Sequence, residues 1–193
     1  VYRILAAGTS ALCYTVSIFC MEGTHMDLYT VYVAGVMLVC PIASIAIESL
    51  IRRGSPPRDW IGRIGKWFLF WAIGCRCLTA GISQSLNPGF TAAMLQADAG
   101  AYVVIRELGF ANMAIGALGI ASLFAPRWRP AAALSGGIFL GIAGIQHILR
   151  IGEGIHTDEI VAMVGDLWAL GAAAAYLLHA LIRRRKTQAS RGA

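Results

Sequence analysis

Charge is what this chain has least of. Asp, Glu, Lys and Arg make up 13% of its 193 residues, about half the roughly 25% of soluble domains. With 58% hydrophobic residues and a mean hydropathy of +0.66, that scarcity excludes an ordinary water-soluble domain. Motifs of soluble enzymes are missing too. The sequence holds no phosphate loop, dinucleotide fingerprint, GxSxG or HExxH string, which removes the common nucleotide, hydrolase and zinc-protease chemistries. Cysteine pairing is absent: Cys13, Cys20, Cys40, Cys75 and Cys77 form no CxxC and all fall in apolar segments. They read as small buried hydrophobes, not as disulfides or metal ligands.

What remains is an all-α, polytopic membrane helix bundle. Six stretches approach or reach the roughly 20 residues that span about 30 Å of hydrocarbon. They are residues 4–21, 28–51, 67–85, 100–125, 131–151 and 159–182. Arg3 before the first one faintly suggests a signal peptide, but no small-residue cleavage site follows, so the segment is read as a retained helix. The net charge of +6 sits in short runs between the stretches, on alternate connections: Arg52, Arg53, Arg58, Arg63 and Lys66, then Arg127 and Arg129, then Arg183 to Lys186. By the positive-inside rule both termini are cytoplasmic, in a multi-pass inner-membrane protein. The basic runs imply contact with membrane lipids and no nucleic acid. The opposite loops carry Glu22, His25, Asp27, Asp98, Glu153, His156, Asp158 and Glu159, the acidic rim that the same rule leaves behind. Asp59 after Ser55-Pro56-Pro57 is placed to cap a helix, and Trp60, Ile61, Ile64, Trp67 and Phe68 recur at helical spacing. That pattern fits either a short helix lying on the inner leaflet or a basic loop with interfacial tryptophans. Residues 1–186 form one bundle, and 187–193 are expected to be a disordered tail.

Inside the stretches stand residues that lipid tolerates poorly: Arg76, Glu107, His147 and Asp166, with Arg106 and Gln146 beside them. A charge near a helix centre costs roughly 2.5–3.5 kcal/mol on insertion scales, so such groups face protein or water. At 1.5 Å per residue, His147 lies about 6 Å below the outer ends, Asp166 and Glu107 about 10 Å, and Arg76 about 13 Å. Arg76–Glu107 and His147–Asp166 are plausible pairs within this layer, and other pairings are open. Glu107 and Asn112 are about 140° apart around one helix and cannot share a narrow pocket. Small-residue seams flank the layer: Gly109, Asn112, Gly116 and Gly119 on the fourth helix, Gly137, Gly141, Gly144 and His147 on the fifth. Ala162, Asp166, Ala169, Ala173 and Tyr176 make a similar stripe on the sixth. Such seams let helices approach closely. The apolar stretches have no HxxxH or ExxH spacing, so no metal site is expected, and no pattern names a cofactor.

Two strings carry a resemblance. Arg106-Glu107-Leu108-Gly109-Phe110-Ala111-Asn112 opens the fourth helix, and Leu140-Gly141-Ile142-Ala143-Gly144-Ile145-Gln146-His147-Ile148 closes the fifth. With Asp166, they make the chain, from about Trp67 to Leu170, similar to a family of small uncharacterised bacterial membrane proteins, DoxX-like in style. Family members often carry a histidine where Gln84 stands ahead of Pro88, which weakens any two-histidine metal site here. The resemblance implies a fold and a set of buried residues, and no activity. Three functional readings follow. The leading one is a non-catalytic accessory or structural subunit of a larger membrane complex, energy-transducing or redox, with other membrane subunits or self-association as partners. The others are a quinone- or small-molecule-binding oxidoreductase component using Glu107, His147, Asp166 and Arg76, and a small transporter or proton conductor.

Overall fold

The computed structural model describes residues 25–52, 59–154 and 157–192, and these residues are all-helical. The expected first span, residues 4–21, lies outside them. The chain runs α1 (His25–Ala34), a π-helical segment (Gly35–Val39) and α2 (Cys40–Ile51) as one rod. A second rod follows: α3 (Trp60–Phe68), a π-helical segment (Leu69–Cys75) and α4 (Arg76–Leu86). After it come the short α5 (Pro88–Met94), then α6 (Tyr102–Phe124), α7 (Arg129–Arg150) and α8 (Thr157–Gly192). Among the described residues, four helical stretches are long and apolar enough to cross a membrane: Leu28–Ile51, Ala99–Phe124, Pro126–Arg150 and Thr157–Ser190. The rod from Trp60 to Leu86 has the length but carries Arg63, Lys66 and Arg76, all shielded among its neighbours.

Local chemistry sets the breaks. Pro88 has no N–H and restricts the residue before it, so α4 stops at Leu86 and α5 restarts at Pro88. Between α7 and α8 the turn needs a left-handed residue, and Gly154 supplies it at φ +82°. At the start of α3, the Asp59 carboxylate accepts the Gly62 N–H at 2.8 Å, as expected of a cap. The helix Asp59 opens does not lie apart on a leaflet; it runs straight on into the π-helical segment and α4. The expected tail is a difference as well. Helix α8 continues through Gly192, with the Thr187 and Ser190 hydroxyls bonded back to the Arg183 and Thr187 carbonyls. Those back-bonds satisfy side chains that would otherwise compete with the helix.

Glycine and alanine set the packing distances. On the α6 seam, a Cβ at Gly116 would lie 2.4 Å from the Leu78 nitrogen, and one at Gly119 2.6 Å from the Gly74 Cα. Gly81 and Gly109 interlock: a Cβ on either would meet the other's carbonyl oxygen, at 2.6 and 2.9 Å. These two rods are therefore in backbone contact. The seam of α7 meets the alanine stripe of α8, where added Cβ atoms at Gly137 and Gly141 would lie 2.9 Å from Ala173 and Leu170. The core between the seams is Leu69, Ala72, Ile73, Ala133, Ala169 and Ala173, all at most 1% exposed.

At the basic end of the bundle, polar side chains fasten the rods together. Lys66 Nζ and Trp67 Nε1 both donate to Glu48 Oε2, at 2.6 and 2.7 Å, and Arg63 Nη1 donates to Ser49 Oγ at 3.0 Å. Asp59 also reaches α8, taking His179 Nε2 at 2.9 Å and the Arg183 guanidinium. Partial burial favours a protonated Asp59, but the Gly62 N–H, His179 and Arg183 outweigh it and hold the carboxyl below its ordinary value of 3.8. A depressed carboxylate stabilises the fold above its unfolded pKa and loses that contribution as pH falls through the folded one. Asp59→Asn should thus lower the midpoint of thermal unfolding at neutral pH. The gap to the unmutated chain should close below about pH 4. Calorimetry in detergent across pH 3–7 reads both; a gap that is constant with pH would refute the role.

Candidate functional site

At the opposite end of the bundle a set of polar side chains comes together, and its membership differs from the sequence reading. Arg76 Nη1 and Asp166 Oδ1 form an ion pair at 2.5 Å, joining α4 to α8, with the residues 8% and 3% exposed. His147 Nε2 faces the other oxygen, Asp166 Oδ2, at 3.9 Å. The second ring nitrogen, Nδ1, lies 2.8 Å from Glu159 Oε1. That carboxylate, wholly buried, also takes Arg150 Nη1 at 2.8 Å. Arg150 Nη2 then donates to the Leu95 carbonyl at 3.2 Å, and Gln96 Nε2 to the Gly154 carbonyl at 3.2 Å. The result is one chain of groups, Arg76–Asp166–His147–Glu159–Arg150, that reaches the connecting segments at the surface.

Two guanidinium groups, Arg76 and Arg150, face two carboxylates, Asp166 and Glu159, across the imidazole. That balance matters energetically. A buried ion costs several kcal/mol to desolvate, and only partners in good geometry return it. The layer is also closely packed: Gly144 sits where a Cβ would lie 3.1 Å from that of Asp166.

Several expectations need correction. Glu107 is not in the layer. It and Arg106 are exposed on the outside of α6, because Gly109, Asn112, Gly116 and Gly119 turn the other face inwards. Arg76 therefore pairs with Asp166. Gln146 is likewise exposed on α7, next to a half-buried His147. Asn112 is buried, but its Nδ2 donates to Gln84 Oε1 at 2.9 Å, apart from the charged chain. Gln84 thus serves as a neutral hydrogen-bond partner between α4 and α6.

Glu159 and Arg150 were missed. Glu159 reads as loop acid beside Asp158, yet it continues the Ala162, Asp166, Ala169, Ala173 stripe one turn further out. Arg150 stands one turn beyond His147 on the seam of α7. Extending both stripes by a turn finds them.

A family model matches residues 31–190, which covers the described bundle and its layer. The chain belongs to DUF6790, a family of unknown function. The match takes in the second expected span as well as the stretch from Trp67 to Leu170, and it shows no similarity to the DoxX-like group. No curated protein and no solved structure matches the chain. Membership of DUF6790 assigns no activity to the chain. Among the described residues no group of three or more His, Cys, Asp or Glu is placed to hold a metal ion.

Proposed function

We propose that this is a six-span bacterial inner-membrane protein with both termini cytoplasmic, working as a non-catalytic subunit bound to another membrane protein. The observation that carries the reading is Glu107. Its carboxylate is exposed on α6 among Val103, Val104 and Phe110, which are 62%, 66% and 56% exposed. At about 10 Å depth, a bare carboxylate facing lipid is costly, whereas one met by a cation or hydrogen-bond donor of a partner helix is compensated. Val103, Glu107, Phe110, Ala114 and Ala117 follow one another at spacings of four and three, which makes a continuous stripe of the kind that packs against a second helix.

The polar layer supports the same reading by what it lacks. A proton conductor needs a path to both sides, and among the described residues this chain of ion pairs ends at Arg76 and Asp166. From Asp166 to Tyr176, the next titratable group down α8, is 10 residues of sequence, or about 15 Å. That interval is filled by Leu69, Ala72, Ile73, Ala133, Ala169 and Ala173, none more than 1% exposed. The layer is best read as a lock that fixes the register of α4, α7 and α8.

Extraction from native membranes into polymer discs tests the proposal. A second membrane polypeptide should co-purify in fixed ratio, or the chain should emerge as an oligomer of itself, and Glu107→Lys should release it. Recovery of a single copy with lipid alone, from unmutated protein, would count against it.

A further inference from the structure

The basic end of the bundle holds a groove that the subunit reading leaves unexplained. It has a volume of about 540 Å³ and lies between α3 and α8, within the range of about 300–1,000 Å³ typical of ligand pockets. Asp59 and Gly62 form part of its floor, and Arg129, Arg183 and Arg184 contribute to its walls. We propose that this groove binds a phosphate-bearing anion.

The arrangement of charge is the reason. The one carboxylate in the groove, Asp59, is already answered by His179, Arg183 and the Gly62 N–H. That leaves the other two arginines for an incoming group. Arg129 is held by Nε alone, which donates to the Ser122 carbonyl at 3.3 Å at the end of α6. Its two terminal nitrogens make no hydrogen bond among the described residues and form a fixed, open fork. Arg184 has no partner among the described residues. A planar guanidinium fork presents parallel N–H donors that match two phosphate oxygens. A neighbouring groove shares Asp59, Gly62 and Arg129 and adds Arg52, Arg63 and Lys66 against Glu48. Across the two, six cations face two carboxylates, so the field over the fork is positive. An anionic lipid headgroup and a free phosphate offer the same chemistry, and the fork accepts either.

Native mass spectrometry of the full chain in detergent, with phosphatidylglycerol or phosphatidylcholine added, reads the lipid arm. Thermal shift with inorganic phosphate reads the soluble one. Phosphatidylglycerol should remain bound where phosphatidylcholine is lost, or phosphate should raise the melting point; the responding arm names the source. The joint substitution of Arg129→Gln and Arg184→Gln should weaken that binding at least tenfold. Arg184 is exposed and unpartnered, so Arg184→Gln alone keeps the fold and should still cost several-fold. Joint change of Arg185→Gln and Lys186→Gln, on the same helix but outside the groove, should leave binding unchanged. Equal loss in that control would mean diffuse attraction to a basic surface, and would overturn the site. So would the absence of any anion binding above the phosphatidylcholine background.

Discussion

Asp166→Ala is expected to be the most damaging single change in the polar layer, lowering stability by about 3–5 kcal/mol. The cost does not come from losing an attraction of that size. It comes from leaving Arg76, 8% exposed, without its counter-charge. The joint change Arg76→Met and Asp166→Leu removes both ions and keeps apolar volume. It should recover most of the loss, because well-packed apolar pairs often equal or exceed the buried ion pair they replace. Unfolding of the purified chain in detergent, followed by helical circular dichroism, measures both. If Asp166→Ala leaves the midpoint unmoved, the ion pair is not holding the bundle. If the joint variant is no better than the single one, the layer has a role beyond fixing register.

The second large effect is expected on the α6 seam. A Cβ at Gly116 would lie 2.4 Å from the Leu78 nitrogen and 2.8 Å from its Cα. Those atoms are helix backbone and cannot swing aside as a side chain could. Gly116→Leu must therefore push two rods apart, and overpacking of this kind costs about 1–3 kcal/mol or more. Gly171, on α8, has nothing within 4 Å of an added Cβ. There Gly171→Ala should be neutral or stabilise by up to about 1 kcal/mol through helix propensity. The pair separates packing glycines from incidental ones in a single experiment; equal effects at both positions would contradict the seam.

The fold was legible in the sequence where periodicity and breakers agree. The α6 and α7 seams, the Asp59 cap and the stop before Pro88 all follow from spacing and residue type. The rod from Trp60 to Leu86 was harder, because Arg63, Lys66 and Arg76 depress its hydropathy while neighbours bury them. For the site, the faces of Asp166 and His147 follow from the small-residue seams, and Arg76 stands out as a charge in an apolar stretch. Pairing was not legible. Rise per residue gives depth and says nothing of which helices adjoin, so Glu107 looked as good a partner for Arg76 as Asp166 does. Glu159 was hidden by its position among loop acids, since a helix boundary uncertain by one turn decides between rim and core. The groove at Asp59 escaped because its arginines look like the basic runs that topology alone explains.

The account turns on whether the Glu107 face of α6 is covered by another polypeptide in the membrane. A photoreactive benzoylphenylalanine in place of Phe110, irradiated in native membranes, asks this directly. The same probe at Ile142, 56% exposed on α7, serves as a reference for an outward-facing helix position. The account predicts a discrete covalent adduct to a second chain from position 110, whether another subunit or a second copy. It predicts that Glu107→Lys abolishes that adduct. Reaction with lipid alone at 110, or a link only to residues 1–24 of the same chain, would contradict it.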